Sequence, residues 1–579
     1  MHAGSFLRRR LAHFSAKSFH STPFQLHRFG GAQIFLPSYP RPSSLTFSNP
    51  LRRSLSTFSP SSLEEPRKAV SFWTITFAIA LLCGGTWLQD KYHNSVDNPS
   101  LPPLPQPDLD NQELSPFLGV IDTLKTMPAE AAPGTVGTLT PEQEAKLQEF
   151  WMLLLKVCGV SLEGIEQTGD SSASQKKEQQ PQQPTKRRTF GLFGGGKSSE
   201  EDDAASVKSA NIASIDITDG DDKYGQSKEF QQALVDMKPE EIRTTVWNMV
   251  KQDNPDTLLL RFLRARKWDV KKALIMFIST IRWRLQEVNV DDDIMKNGEH
   301  LALKQSQSSD PTEKKAGEEF LMQMRLGKSF LHGVDKLGRP ICVVRVRLHK
   351  ASDQSTEVLD RFTVYTIESA RMMLAPPVET ACVVFDMTNF SLSNMDYNPV
   401  KFMIKCFEAN YPECLGVVLI HKAPWLFSGI WKIIKGWLDP VVAAKINFTN
   451  NVSDLEKFIP RDRIMKELEG DEDWEYKYVE PQPGENKAME DTTKRDELLV
   501  ERQKLAQEVQ DATIAWISAS RKKDDEALKT AKEDRNGLIE RLRVQYWQLD
   551  PYIRSRSLYD RLNVLQGDGK INFYPAESK

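Results

Sequence analysis

The sequence predicts an α/β protein in which a helical N-terminal domain leads into a parallel sheet and charged helices close the chain. Three observations carry this. Apolar residues recur at helical spacing through "PEQEAKLQEFWMLLLKVCGV" (141–160) and again from Lys228 to about Glu287. Short β-branched runs, "ICVVRVRL" (341–348), "TACVVFDM" (380–387) and "LGVVLIHK" (415–422), then alternate with helical stretches, which implies βαβ units. Beyond Pro483, Glu, Lys, Arg and Ala dominate, with Leu, Ile and Trp scattered among them.

Taken in order, the first 60 residues hold eight Lys or Arg, many Ser and no acid before Glu64. An Arg-rich, acid-free start reads as a mitochondrial presequence over 1–60, with a disordered basic tail as the alternative. Residues 69–89, "AVSFWTITFAIALLCGGTWLQ", are 21 uncharged residues. As a helix they span about 30 Å, the thickness of a bilayer's hydrocarbon, so one transmembrane helix is predicted. Its basic flank, Arg67 and Lys68, sets that end on the matrix side. A Pro-rich linker follows over 90–137 and contains Met127. Translation from Met127 would remove the anchor and give a cytoplasmic, peripheral membrane protein.

Pro141 opens the first helix of a domain spanning 138–290. A stretch of Gln, Ser, Gly, Lys and Asp, 165–227, interrupts it and is too polar to bury a core, so it reads as a disordered insertion. Within it "GLFGGGKS" (191–198) matches a P-loop in letters only. "TKRRT" precedes it and "SEEDD" follows, so no strand feeds the loop and no helix receives it. The sheet domain covers 317–480, with "STEVLDRFTVYTIESARMML" and "NPVKFMIKCFEANY" as its helices and "KINFT" (445–449) as a further strand. The extension 484–579 reads as two charged amphipathic helices laid on the main body, because no clean heptad persists.

Composition narrows the chemistry. The net charge of −3 gives no global pull towards nucleic acid. The six cysteines never form a C-x-x-C pair and the nine histidines make no ligand-spaced cluster, so no metal, no cofactor and no disulfide framework are expected. No serine sits in a G-x-S-x-G turn, and His332, His349 and His421 are dispersed. No catalytic residue is assigned, and the chain is expected not to be an enzyme.

Four motifs in order, "LLLRFLRARKWDVKKA" (258–273), "DKLGRPI" (335–341), "YPECLGVVLIHKAPWLF" (411–427) and "GWLDPVVAAKI" (436–446), resemble the CRAL-TRIO lipid-binding family in its phosphatidylinositol transfer protein branch. The resemblance covers roughly 138–480. It implies that 138–290 is a CRAL-TRIO N-terminal helical domain and 317–480 the α/β CRAL-TRIO lipid-binding domain. It also implies a mobile gate helix over an apolar pocket at "WLFSGIWKIIKGWL" (425–438). Two acyl chains of ~16 carbons, at about 0.8 kcal/mol per methylene, resist exposure to water by on the order of 25 kcal/mol, so the cover itself must enter the bilayer. Trp425, Phe427, Trp431 and Trp437 suit the membrane interface and Lys432 and Lys435 suit anionic headgroups, while Gly429 and Gly436 weaken the helix and help it move.

By the same resemblance the phosphatidylinositol headgroup falls to Arg266, Glu413 and Lys445, with Arg266 and Lys445 on the phosphate. The family's Thr in this region is here Val442, which removes one polar contact. The hydroxyl-bearing phosphatidylcholine positions align with Leu331, Cys342, Ala381 and Val383, and none carries a hydroxyl. Each unmet hydrogen bond costs about 1–3 kcal/mol, so poor phosphatidylcholine transfer is expected. The implied partners are phosphatidylinositol, a second apolar lipid that is sterol or squalene-like, membrane surfaces, and a phosphoinositide kinase as recipient, with no nucleic acid. A membrane-anchored interaction protein with a vestigial pocket is the alternative.

Overall fold

The computed structural model describes residues 132–162 and 222–574. The predicted presequence, the transmembrane helix, the Pro-rich linker up to residue 131 and most of the insertion, with its P-loop look-alike, lie outside the described residues. Among the described residues no helix is long and apolar enough to cross a membrane. The described residues resume at 222, inside the 165–227 segment read as an insertion.

The helical domain is built from α1 (Pro141–Val157), α2 (Gln226–Asp236), α3 (Pro239–Val250), α4 (Pro255–Ala265) and α5 (Val270–Arg282). Local chemistry sets their starts. Pro141, Pro239 and Pro255 stand at first helical positions, where a missing N–H costs nothing. The Thr140 hydroxyl accepts from Gln143 N while the Gln143 side chain accepts from Thr140 N, which closes a capping box. Inside, Phe277 meets Phe150 and Phe262 edge to face, at 5.9 and 4.9 Å between ring centres. Two short π-helical turns, Trp283–Glu287 and Val290–Met295, lead into α6 (Lys296–Ser306) and α7 (Pro311–Leu326).

The sheet follows: β1 (Ser329–Val334), β2 (Pro340–Arg345), β3 (Ala381–Asp386), β4 (Leu415–His421) and β5 (Ile446–Thr449), in spatial order β1-β2-β3-β4-β5. β1 is antiparallel to β2, and the other three pairings are parallel. The crossovers carry α8 (Thr356–Met372) between β2 and β3, α9 (Tyr397–Lys405) between β3 and β4, and α10 (Phe427–Lys435) with α11 (Pro440–Ala444) between β4 and β5. β2, β3, β4 and β5 fall on the four runs that the sequence marks as strands. The end of the first run departs from strand, since Val346–Leu348 turns into a 3₁₀ helix.

Strand side chains alternate between faces, and the register aligns them in rows. One row, Leu331, Cys342, Val383, Val418 and Ile446, crosses the whole sheet. The opposite face carries Phe330, Ile341, Val343, Cys382, Val384, Val417 and Leu419, packed against Leu455, Ile459 and Leu468.

The C-terminal extension forms a helical hairpin, α12 (Thr492–Lys522) and α13 (Asp525–Ile553), then a last turn, α14 (Leu558–Arg561). It is bound to both domains. Leu505, Val509, Trp516, Ile517, Ile539 and Leu542 join the core of the helical domain. There Arg535 grips both oxygens of Asp256 at 2.6 Å, and Trp151 Nε1 donates to the same carboxylate at 2.7 Å. Tyr546, Trp547, Tyr559 and Phe573 reach the sheet and pack with Leu331, Cys342, Val383 and Val418.

Candidate functional site: an apolar cavity under a short helix

Between the sheet and α8, α9 and α10 lies a cavity of about 260 Å³. Its floor is the row through Cys342, Val383, Val418 and Ile446 and the next one through Val344, Phe385 and Ile420. Its roof includes Phe427, Trp431 and Ile434 of α10. The volume sits near the small end of ligand pockets, about 300–1,000 Å³, so admitting two acyl chains requires the roof to move outward.

α10 is two-faced. Phe427, Ile430 and Ile434 are buried with Met387, Phe390, Ile404 and Ile420, at the i, i+3, i+7 spacing of one helix stripe. Ser428, Gly429, Lys432, Ile433 and Lys435 face out. The four aromatics assigned to the gate differ in burial here. Phe427 lines the cavity, Trp431 is half buried against Phe448 at 5.3 Å, and Trp437 rests against Tyr397 at 5.5 Å under Lys401. Trp425 alone of the four is largely in solvent, at 81% exposure. Gly429 has nothing within 4 Å of where a Cβ would stand, so no packing demands a glycine there. Its consequence is a looser helix, by about 1 kcal/mol relative to Ala. Leu426 at the helix start offers no side-chain cap.

The far end of α10 is fastened. Glu408 accepts from Asp439 N at 2.6 Å, from Tyr224 Oη at 2.7 Å and from Lys223 Nζ at 2.7 Å, and Lys223 also donates to the Trp437 carbonyl. Sequence reasoning missed Glu408, Lys223 and Tyr224. A lone acid in "KCFEANY" carries no signal until the chain folds around it.

Of the three headgroup residues, two meet. Lys445 Nζ lies 2.9 Å from Glu413 Oε2, each side chain about one-fifth exposed. Glu413 has φ of 55°, a left-handed conformation that side chains adopt at a cost. Arg266 instead caps the end of α4 and donates to Gln226 Oε1 at 2.6 Å, and Gln226 in turn donates to the Ala409 carbonyl at 3.3 Å. Arg266 therefore approaches the loop before Glu413 through an intermediary. That loop is held by Tyr411, whose hydroxyl donates to Glu368 Oε1 at 2.8 Å. Burial alone would push the Glu368 carboxyl up, but Arg284, Arg371 and Lys251 outweigh it and hold it well below the usual carboxylate range.

The four phosphatidylcholine positions share the cavity face of the sheet. Cys342 and Val383 line the void, whereas Leu331 is covered by the C-terminal extension, with Tyr559 Oη accepting from Leu331 N at 2.9 Å. His421 is buried with Nδ1 3.1 Å from Thr449 Oγ1, and Asp386 pairs with Arg347 and accepts from Thr388 N.

A family model for the CRAL/TRIO N-terminal domain matches residues 226–279, and one for the CRAL/TRIO domain matches 324–470. A CRAL-TRIO domain-containing protein of Schizosaccharomyces pombe is 40% identical over 443 residues, 75% of this chain and 92% of the relative. The chain belongs to the CRAL-TRIO family. A second relative of this CRAL-TRIO protein, the phosphatidylinositol transfer protein CSR1 of Eremothecium gossypii, is 40% identical over 75% of this chain and 98% of its own length. The Sec14 cytosolic factor of Schizosaccharomyces pombe is 30% identical over 37% of the chain and 74% of its own. The first two alignments are long enough to take in regions beyond the two matched domains.

Proposed function

We propose that this chain is a phosphatidylinositol transfer protein or lipid sensor, which holds phosphatidylinositol or a second hydrophobic lipid in the cavity beneath α10 and exchanges them with membranes without covalent chemistry. One observation carries the reading: α10 walls an apolar cavity while it turns Lys432, Ile433 and Lys435 outward, with Trp425 exposed just ahead of it. A helix of that kind can trade its contact with the cavity for contact with a bilayer, which is what release of an insoluble ligand requires. The name of the Eremothecium gossypii relative supports phosphatidylinositol as the ligand.

Lys445, paired with Glu413 beside the α11 end of the roof, is the cation for the headgroup phosphate, and Glu413 accepts from inositol hydroxyls. Arg266 adds positive charge from the end of α4. Leu331, Cys342, Ala381 and Val383 give a choline phosphate no hydroxyl, and the aromatics of the extension crowd that end of the face. Phosphatidylcholine transfer is therefore poor. The chain works at a mitochondrial membrane if Met1 starts it and as a cytoplasmic peripheral protein if Met127 does, and the mass of the endogenous amino terminus decides between them.

Vesicle exchange with labelled phosphatidylinositol and phosphatidylcholine tests the proposal. Glu413→Ala with Lys445→Ala should abolish phosphatidylinositol exchange and leave the fold intact. Unchanged exchange in that variant, or efficient transfer of choline lipid by the wild type, defeats it.

A further inference from the structure

Apart from Thr363 and Thr366, whose hydroxyls donate to carbonyls within α8, the polar lining of the cavity is gathered at the end beneath β1 and β2. There the wall includes Lys328, Ser329, Arg345, His349, Asn394 and Asp396. Arg345 is committed to Glu467, and the Asn394 amide to the carbonyls of Arg347 and His349. Lys328 is different. It is 4% exposed, donates to Gln354 Oε1 at 2.9 Å and lies 3.4 Å from His349 Nδ1. No carboxylate among the described residues pairs with it.

An ammonium has three N–H donors, and two neutral partners leave one donor unmet; Asp353 favours the charge through space, but no hydrogen bond joins its carboxylate to Lys328. Burial outweighs the Asp353 carboxylate and pushes the Lys328 pKa down to about 8. The same burial, with Lys328 beside it, lowers that of His349 and keeps the imidazole neutral, with Nδ1 free to accept. Asp396 lies beyond the ring, 3.5 Å from His349 Nε2, so the imidazole stands between that carboxylate and Lys328.

This end of the void lies across the sheet from Lys445, which precedes β5 at the opposite edge. We propose that Lys328 binds the carboxylate of a single-chain fatty acid whose hydrocarbon fills the cavity, which makes fatty acid the second ligand. The inference rests on the reading of the cavity as a lipid site and specifies that ligand's class. A hydrocarbon or sterol would leave the ammonium buried without an anion. A phosphate monoester would carry more charge than one free cation matches.

Calorimetric titration of the full chain with oleate and with methyl oleate, both kept below their aggregation concentrations, tests it. Wild type should bind oleate at least about tenfold more tightly, the scale of a charge-assisted hydrogen bond. Lys328→Met should erase that preference while holding methyl oleate at wild-type affinity, and Lys328→Gln, a second neutral variant, should do the same. Equal binding of the two probes by the wild type, a comparison that needs no variant, overturns the assignment. So does a preference that survives in either folded variant. Phosphatidylinositol exchange measured on the same samples separates the two claims. Its absence alongside an oleate preference removes the transfer reading and leaves Lys328 as a carboxylate site, and its presence without the preference does the reverse.

Discussion

Replacing Trp425 by Ala removes the most exposed aromatic beside α10 without touching the cavity. A Trp side chain offers roughly 200 Å². At 81% exposure about 160 Å² of it is available to a bilayer. Half of that buried at the interface, at about 25 cal/mol per Å², contributes about 2 kcal/mol to membrane partition. The expected loss is therefore roughly 30-fold in vesicle affinity. Co-sedimentation with vesicles containing phosphatidylinositol measures it, and the exchange rate should fall in parallel while thermal stability stays put. Val235, equally exposed but on the helical domain, supplies the control, and Val235→Ala should change neither quantity. If Trp425→Ala sediments and exchanges like the wild type, α10 is not the element that meets the membrane.

Two further perturbations probe what holds the cover and its supports. Glu408→Ala strips the acceptor shared by Asp439 N, Lys223 and Tyr224, which should weaken closure by about 1–3 kcal/mol. Hydrogen exchange across 425–440 should accelerate while α8 and the sheet hold theirs, and unchanged protection would deny Glu408 a latching role. The second is a change of pH. Burial would raise Asp550 and Asp560, but Arg554 and Arg556 reverse this and hold both carboxyls below the usual range. A carboxyl so depressed takes its proton more readily in the unfolded chain, so its stabilisation is full above about pH 4 and drains away as pH falls. Denaturant midpoints from pH 7 to pH 3 should show this slope. Asp560→Asn should flatten it, and an identical acid slope in that variant would show the cluster is not its source.

The strands that could be read from sequence are those buried on both faces, such as "ACVVFD" and "LGVVLIH", because continuous β-branched runs have few other uses. β1 escaped. "SFLHGV" holds a histidine and a glycine, sits at an antiparallel edge and breaks register between Leu331 and Val334, so neither alternation nor a continuous run marks it. α6 and α7 escaped too, being polar on most of their surface. The cover was legible as greasy but not as two-faced, because which tryptophan turns inward depends on Phe448 and Tyr397 from other elements. The same holds for Lys328, whose interest lies in what surrounds it. The two helices after residue 484 were predicted, but their berth was not, since the contacts that fix it join Arg535 to Asp256 and Tyr559 to Leu331 across more than two hundred residues.

The C-terminal hairpin is mortised into the helical bundle at one end and the sheet at the other. A fragment trimmed to the family-matched segment would lose Trp547, Tyr559 and Phe573 from over Leu331 and bare an oily flank that the intact chain never shows to solvent. Binding measured on such a fragment would therefore be read from a sheet face stripped of its aromatic buttress, and the full chain is the fair subject for any such titration.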